Sequence, residues 1–174
     1  GGSPDTSFRT RLLAVLAADA VGYSRLMSLD DHGTVAALDA ARAVFSLQIA
    51  GHDGRVIDMA GDSVLAVFET ATAAVKAALA IQRQLRVTLG DEGSDDRRMR
   101  FRLGIHVGDV IEKADGSVYG DGVNIAARLE GLAEPGGVAV SHAVQGIVSG
   151  RVAIAFVDIG EQAVKNIARP VRVY

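Results

Sequence analysis

The chain has 174 residues, enough for one domain of ordinary size with its own hydrophobic core. Hydrophobic residues make up 49% and charged residues 22%, the balance of a soluble globular domain, and a net charge of −3 offers no general attraction to nucleic acid or an anionic membrane surface. The absence of cysteine excludes a disulfide frame, a thiolate zinc site and a cysteine nucleophile, and it fits a reducing, cytoplasmic compartment.

Residues 1–8, "GGSPDTSF", are polar and read as a cloning scar and linker, with the domain running from 9 to 174 and fused to other modules in a longer protein. "RLLAVLAA" (Arg11 to Ala18) is a near-continuous apolar run suited to a strand buried on both faces; it is far shorter than the ~20 residues of a membrane span. "DDHGTVAALDAARAVFSLQIAGHDG" predicts a long Ala-rich helix with Val35, Leu38, Ala41, Phe45, Leu47 and Ile49 on its apolar side. "RVIDMA" and "SVLAVF" predict two strands of a hairpin turning at Gly61-Asp62. "TATAAVKAALAIQRQLRV" predicts an amphipathic helix capped by Thr70. Residues 90–98 read as a charged, solvated loop.

"MRFRLGIHVGDVIE" predicts a further strand, "KADGS" a turn, and "DGVNIAARLEGLAEPGG" a helix closed by Pro135 and two glycines. "VAVS", a short helix "HAVQGIVSG" and the strands "RVAIAFVDIG" and "RPVRVY" complete the chain. The order β-α-β-β-α-β with extra C-terminal α/β elements predicts an α+β fold. Its core is a ferredoxin-like βαββαβ unit, an antiparallel-rich sheet with helices packed on one face.

Two aspartates follow strand signals: Asp19 just past the first apolar run, and Asp62 in the hairpin turn. A carboxylate ending a buried strand is costly unless solvated, hydrogen-bonded or bound to a cation. A pair of carboxylates together with substrate phosphates is how Mg²⁺ is usually held. Asn124 and Arg128, four apart in "VNIAARLE", share one helix face. The amide suits a sugar or base edge, and the guanidinium suits phosphate. Taken singly, each of these reads better as an ordinary turn residue or a solvated helix face. No G-x-x-x-x-G-K-[ST], H-E-x-x-H or G-x-S-x-G motif is present, Ser63 and Ser117 have no evident base, and His106 reads as structural.

Together, "AADAVGYSRLM", "GRVIDMAGDSVLAVF", "FRLGIHVGDVI", "SVYGDGVNIAARLEGLAEPGGVAVS" and "GEQAVKNIARPVRVY" resemble, in order and spacing, the class III nucleotidyl cyclase catalytic domain over Arg11 to Tyr174. The resemblance implies conversion of a nucleoside triphosphate to a 3′,5′-cyclic nucleotide and pyrophosphate. Asp19, Asp62 and the backbone carbonyl of Ala20 would hold two ions, Mg²⁺ or Mn²⁺, per active site. Asn124 would orient the ribose, Arg128 would stabilise charge on the α-phosphate, and Lys165 would contact the triphosphate. It also implies a head-to-tail homodimer in which one subunit supplies the metal aspartates and the other the base-reading residues with Asn124 and Arg128.

The sequence departs from the family at the base-reading positions. Adenylate cyclases usually carry a lysine four residues before the second metal aspartate, and Asp or Thr seven before the Asn; here these are Asp58 and Ser117. An ionised acid accepts from guanine N1–H and N2–H₂, and a serine hydroxyl can donate to O6, so the pair complements guanine. GTP is the expected substrate, with ATP, a pyrimidine nucleotide, or nucleotide binding without turnover as alternatives.

Overall fold

A computed structural model describes residues 7–90, 98–156, 160–162 and 171–174. The elements run β1 (Phe8–Ala20), α1 (Tyr23–Leu29), α2 (Asp31–Gly51), β2 (Arg55–Asp58), β3 (Val64–Phe68), α3 (Ala71–Leu89), β4 (Phe101–Lys113), β5 (Val118–Tyr119), α4 (Asp121–Glu130), β6 (Val138–Val140), α5 (His142–Val148), β7 (Gly160–Gln162) and β8 (Val171–Val173). The main sheet has the order β2-β3-β1-β4-β5, with β6 parallel to β4, and β7 pairs with β8 in a separate ribbon. The β2-β3-β1-β4 order, with β1 antiparallel to both neighbours, is the split-βαβ arrangement that the element order predicts.

β1 is central, and its alternation divides the core. Ala14, Leu16, Ala18 and Ala20 face α2, α3 and α5, whereas Leu13, Val15 and Ala17 face α4 with Val110 and Ala126. A strand covered on both sides loses its polar face, which is why Leu13 to Ala18 form a continuous apolar run, whereas Leu12 just before it is exposed. The expectation that helices pack on one face therefore holds for α2, α3 and α5 but not for α4, which crosses the opposite face.

The capping prediction holds: Thr70 accepts from Ala73 N–H, satisfying a donor at the start of α3 for about 1 kcal/mol. In α2 the buried stripe is Thr34, Leu38, Ala41, Val44, Phe45 and Ile49. Val35 and Leu47 lie off that stripe and are exposed: Val35 sits at its flank in the first turn, and Leu47, nine positions from Leu38, is rotated to the far side of the helix. α1 and β5 have no counterpart among the predicted elements.

The helix expected over "DGVNIAARLEGLAEPGG" stops at Glu130; beyond it, Gly136 N–H donates to Phe101 O and Leu103 N–H to Gly137 O, so this segment serves the end of β4. "RVAIAFV" is not a ladder strand through residues 152–156. Ile154 N–H turns back onto Val152 O, and the apolar alternation instead seats Val152 and Phe156 against the core.

Candidate active site

Asp19 lies in the last turn of pleat of β1, directly opposite Arg102 on β4. Asp62 follows Gly61, whose left-handed backbone (φ 57°) reverses the chain at the hairpin tip, closed by Ser63 N–H to Ala60 O at 2.9 Å. The two carboxylates, 43 positions apart in the chain, meet at the end of β1: Asp62 Oδ2 accepts from the Ala20 amide at 3.2 Å. Both side chains are partly buried.

A third acid joins them. Glu130, the last residue of α4, hydrogen-bonds Asp19, and its carboxyl is pushed up to about 9, first by burial and then by its bond to Asp19 and the charges of Asp19 and Asp62, with Arg102 opposing. Desolvation and neighbouring carboxylates both disfavour its charged form. Among the described residues no three such side chains converge as a complete metal-ligand set. The donor set nevertheless fits Mg²⁺ or Mn²⁺ held by two carboxylates with the remaining positions left to substrate oxygens and water. Three carboxyls gathered in one part-buried site crowd negative charge that a divalent ion would relieve.

The hairpin carrying Asp62 is itself anchored. Arg42 on α2 donates from Nη2 to Gly61 O at 2.6 Å and to Met59 O at 3.4 Å. α4 is anchored by a close backbone approach: at Gly104 on β4, a Cβ would overlap the Glu130 amide and the Ala126 carbonyl oxygen. Only glycine admits the helix at that separation.

α4 presents different residues to different sides. Gly122, Ile125, Ala126 and Leu129 are buried, Glu130 meets Asp19, and Asn124 and Arg128 are exposed. Among the described residues no hydrogen bond joins Asn124 or Arg128 to Asp19 or Asp62. The fold thus brings Asp19, Ala20 and Asp62 together and leaves Asn124 and Arg128 on an exposed face of α4 with no hydrogen bond to them.

Asp58 is exposed at the end of β2, beside a bulge in the β2–β3 register, and its Oδ1 accepts from Met59 N–H at 3.0 Å. Ser117 sits in the β4–β5 turn and donates its hydroxyl to Asp115 Oδ1 at 2.5 Å, while the Ser117 amide donates to the same oxygen at 2.9 Å. Those bonds hold the Asp115 carboxyl below the usual range. Arg55, at the start of β2, reaches this turn, with Nη1 to Gly116 O at 2.9 Å and Nη2 to Glu112 Oε2 at 3.0 Å. His106 is structural in its contacts: Nδ1 pairs with Ser141 Oγ at 2.8 Å, and burial lowers its pKa. Lys165 lies outside the described residues.

With two carboxylates gathered at the end of a ferredoxin-like sheet and an Asn–Arg face on a neighbouring helix, comparison with known proteins is decisive. The family described as the adenylate and guanylate cyclase catalytic domain matches residues 7–174. The chain belongs to this family.

The cyclase domain is 46% identical over 169 residues to the putative adenylate cyclase 3 of Rhizobium meliloti, covering 97% of this chain and 28% of that protein. It is 34% identical to an adenylate cyclase of Glutamicibacter nicotianae, covering 72% of this chain and 29% of that one. The chain therefore spans under a third of the length of these curated relatives. Its fold is similar to the adenylate/guanylate cyclase/hydrolase of Silicibacter pomeroyi, with a TM-score of 0.88, 40% identity and 96% of each chain covered. The adenylyl cyclase CyaB of P. aeruginosa superposes with a TM-score of 0.83 at 25% identity, over 97% of this chain and 94% of that one.

Sequence reasoning missed Arg42, Arg55, Asp115 and Glu130. Glu130 had a visible signal, an acid two residues past Arg128 at the buried end of a helix. Arg42 and Arg55 had none, because they act on backbone carbonyls remote in the chain.

Proposed function

We propose that this cyclase domain converts a nucleoside triphosphate to its 3′,5′-cyclic nucleotide and pyrophosphate in a head-to-tail homodimer, as a cytoplasmic module of a longer protein. The observation that carries the reading is the Asp62–Ala20 contact, which places the hairpin aspartate beside Asp19. Asp19, Asp62 and the Ala20 carbonyl would hold two ions, Mg²⁺ or Mn²⁺. When bound, these ions supply Lewis acidity toward the ribose 3′-hydroxyl and charge neutralisation for the triphosphate. Asn124 orients the ribose so that the 3′-oxygen stands in line with the α-phosphorus. Arg128, a bidentate charged donor on the same exposed face, stabilises the charge that develops on the α-phosphate oxygens.

The exposure of Asn124 and Arg128 away from their own Asp19–Asp62 pair supports a shared site, since a monomer then carries every part without assembling them. Asp58, an anionic acceptor, favours guanine, and GTP is the leading substrate. ATP is the second reading, favoured by the names of the relatives at 46% and 34% identity. The test is incubation with each of the four nucleoside triphosphates and Mn²⁺, with the cyclic products identified by mass spectrometry and rate followed against protein concentration. Turnover should rise faster than linearly with protein and vanish in Asp62→Ala. Full activity of Asp62→Ala would overturn the metal assignment, and ATP as clearly the best substrate would overturn the guanine preference.

A further inference from the structure

Ser117 complements guanine only if its hydroxyl proton is free to meet O6, and in this fold the proton is committed elsewhere. The hydroxyl donates to Asp115 Oδ1, which also accepts the Ser117 amide. A hydroxyl has one proton and two lone pairs, so a serine that donates to a carboxylate faces any third group as an acceptor. The turn is not free to swing away from this arrangement: Arg55 holds Gly116 O from β2, the strand that ends in Asp58 three residues later, and Glu112 Oε2 holds the other arm of the guanidinium. The ladder bond of Lys113 N–H to Ser117 O at 2.9 Å fixes the serine from its other side.

We infer that Asp115 is a specificity-determining positioning residue, which turns Ser117 from a donor into an acceptor and so sets the site against a purine 6-oxo group and toward a 6-amino group. The inference rests on the reading that Asp58 and Ser117 face the base. Asp58 and Ser117 then pull in opposite directions: the acid suits guanine N1–H and N2–H₂, while the serine oxygen suits the adenine amino group. A buried base edge that meets two acceptors leaves guanine O6 without a donor, and unpaired groups of that kind are what a hydrogen-bonding site discriminates against. Asp115 thereby narrows the guanine preference that Asp58 alone would impose.

The experiment is the ratio of kcat/KM for GTP to that for ATP, with Mn²⁺, in the wild-type chain, Asp115→Ala, Asp115→Asn, Ser117→Ala and the Asp115→Ala/Ser117→Ala double variant. Asp115→Ala frees the serine proton, and the GTP:ATP ratio should rise about tenfold, the effect of one gained hydrogen bond. Asp115→Asn keeps an oxygen for the turn's backbone amide and loses the charge that captures the proton, so it should shift the ratio the same way by less and controls for a deformed turn. In the double variant the gain should vanish. A ratio unmoved by Asp115→Ala and Asp115→Asn, but altered by Ser117→Ala, would overturn the role of Asp115 alone. A ratio unmoved by Ser117→Ala would overturn the base-reading assignment on which the inference stands.

Discussion

Gly104→Ala tests whether the approach of α4 to β4 sets both stability and catalysis. The added Cβ would overlap the Glu130 backbone nitrogen and lie 2.5 Å from Ala126 O and 2.9 Å from Glu130 Cα, where ordinary contact begins at 3.4 Å, so the helix must retreat by about 1.1 Å. The obstructing atoms are backbone, and no rotamer change relieves them. Overpacking of this kind costs about 1–3 kcal/mol. For a domain of this size each kcal/mol lowers Tm by about 2–4 °C, giving a fall of roughly 2–12 °C by differential scanning fluorimetry. The same shift displaces Asn124 and Arg128, and a misplacement near 1 Å lowers kcat about a hundredfold. Gly51→Ala is the matched control: nothing lies within 4 Å of its Cβ position and its backbone is helical, so Tm should hold or rise slightly and kcat should stay at the wild-type value. A Gly104→Ala protein with unchanged Tm would refute the packing argument. One with lowered Tm and unchanged kcat would refute the catalytic placement of α4.

Arg42→Met removes the hydrogen bonds to Gly61 O and Met59 O, loosening the hairpin that positions Asp62. Half-saturating Mn²⁺ should rise about tenfold by calorimetric titration, with Arg42→Lys recovering part of the loss, and an unchanged metal dependence would count against the anchor. Arg55→Ala frees the β4–β5 turn from β2, so KM should rise about tenfold for GTP and ATP alike with kcat at saturation little changed. For Glu130, the folded, metal-free chain keeps a proton up to about pH 9 that the unfolded chain releases near 4.5. The unfolded state thus binds fewer protons across that window, and stability should fall as pH rises through it. Melting curves in chelator should show this slope, and Glu130→Gln should flatten it; an equal slope in the variant would remove Glu130 as its source.

Much of the fold was legible because its signals are local. The burial of β1 on two faces shows in six consecutive apolar residues, Leu13 to Ala18, the α3 cap in one threonine, and the hairpin in Gly61 between two short apolar runs. What was not legible depends on geometry between distant segments. α4 crosses the sheet on the face away from α2 and α3, and nothing in its own amphipathic pattern says which face it takes; the sign is Gly104 on β4, remote in the chain from the start of α3 at Ala71. Asp19 and Asp62 were visible as carboxylates after strands, yet their meeting depends on the β1–β3 register, which aligns Ala18 with Val64. Ser117 was read as a donor because a hydroxyl in a sequence carries no direction, and only the turn shows where its proton goes.

The two ends of α4 explain why one short helix holds so much of the site. Its buried stripe and its glycine-limited seat on β4 fix the axis. Glu130 then falls against Asp19 within the chain, while Asn124 and Arg128 are rotated to the exposed side, where the proposed homodimer would present them to a neighbour. In the proposed homodimer, a helix that touches Asp19 at one end and offers Asn124 and Arg128 outward along one face would tie the two half-sites together mechanically. On that proposal, a change that moves α4 in one subunit would disturb the acid cluster of that subunit and the phosphate contacts of the other site at once. Mixing Asp62→Ala with Arg128→Ala subunits separates these effects. The heterodimer carries one site with both lesions and one with neither, so activity should return to about half of one wild-type dimer per mixed dimer. Two inactive homodimers that stay inactive on mixing, despite exchanging subunits, would refute the shared site.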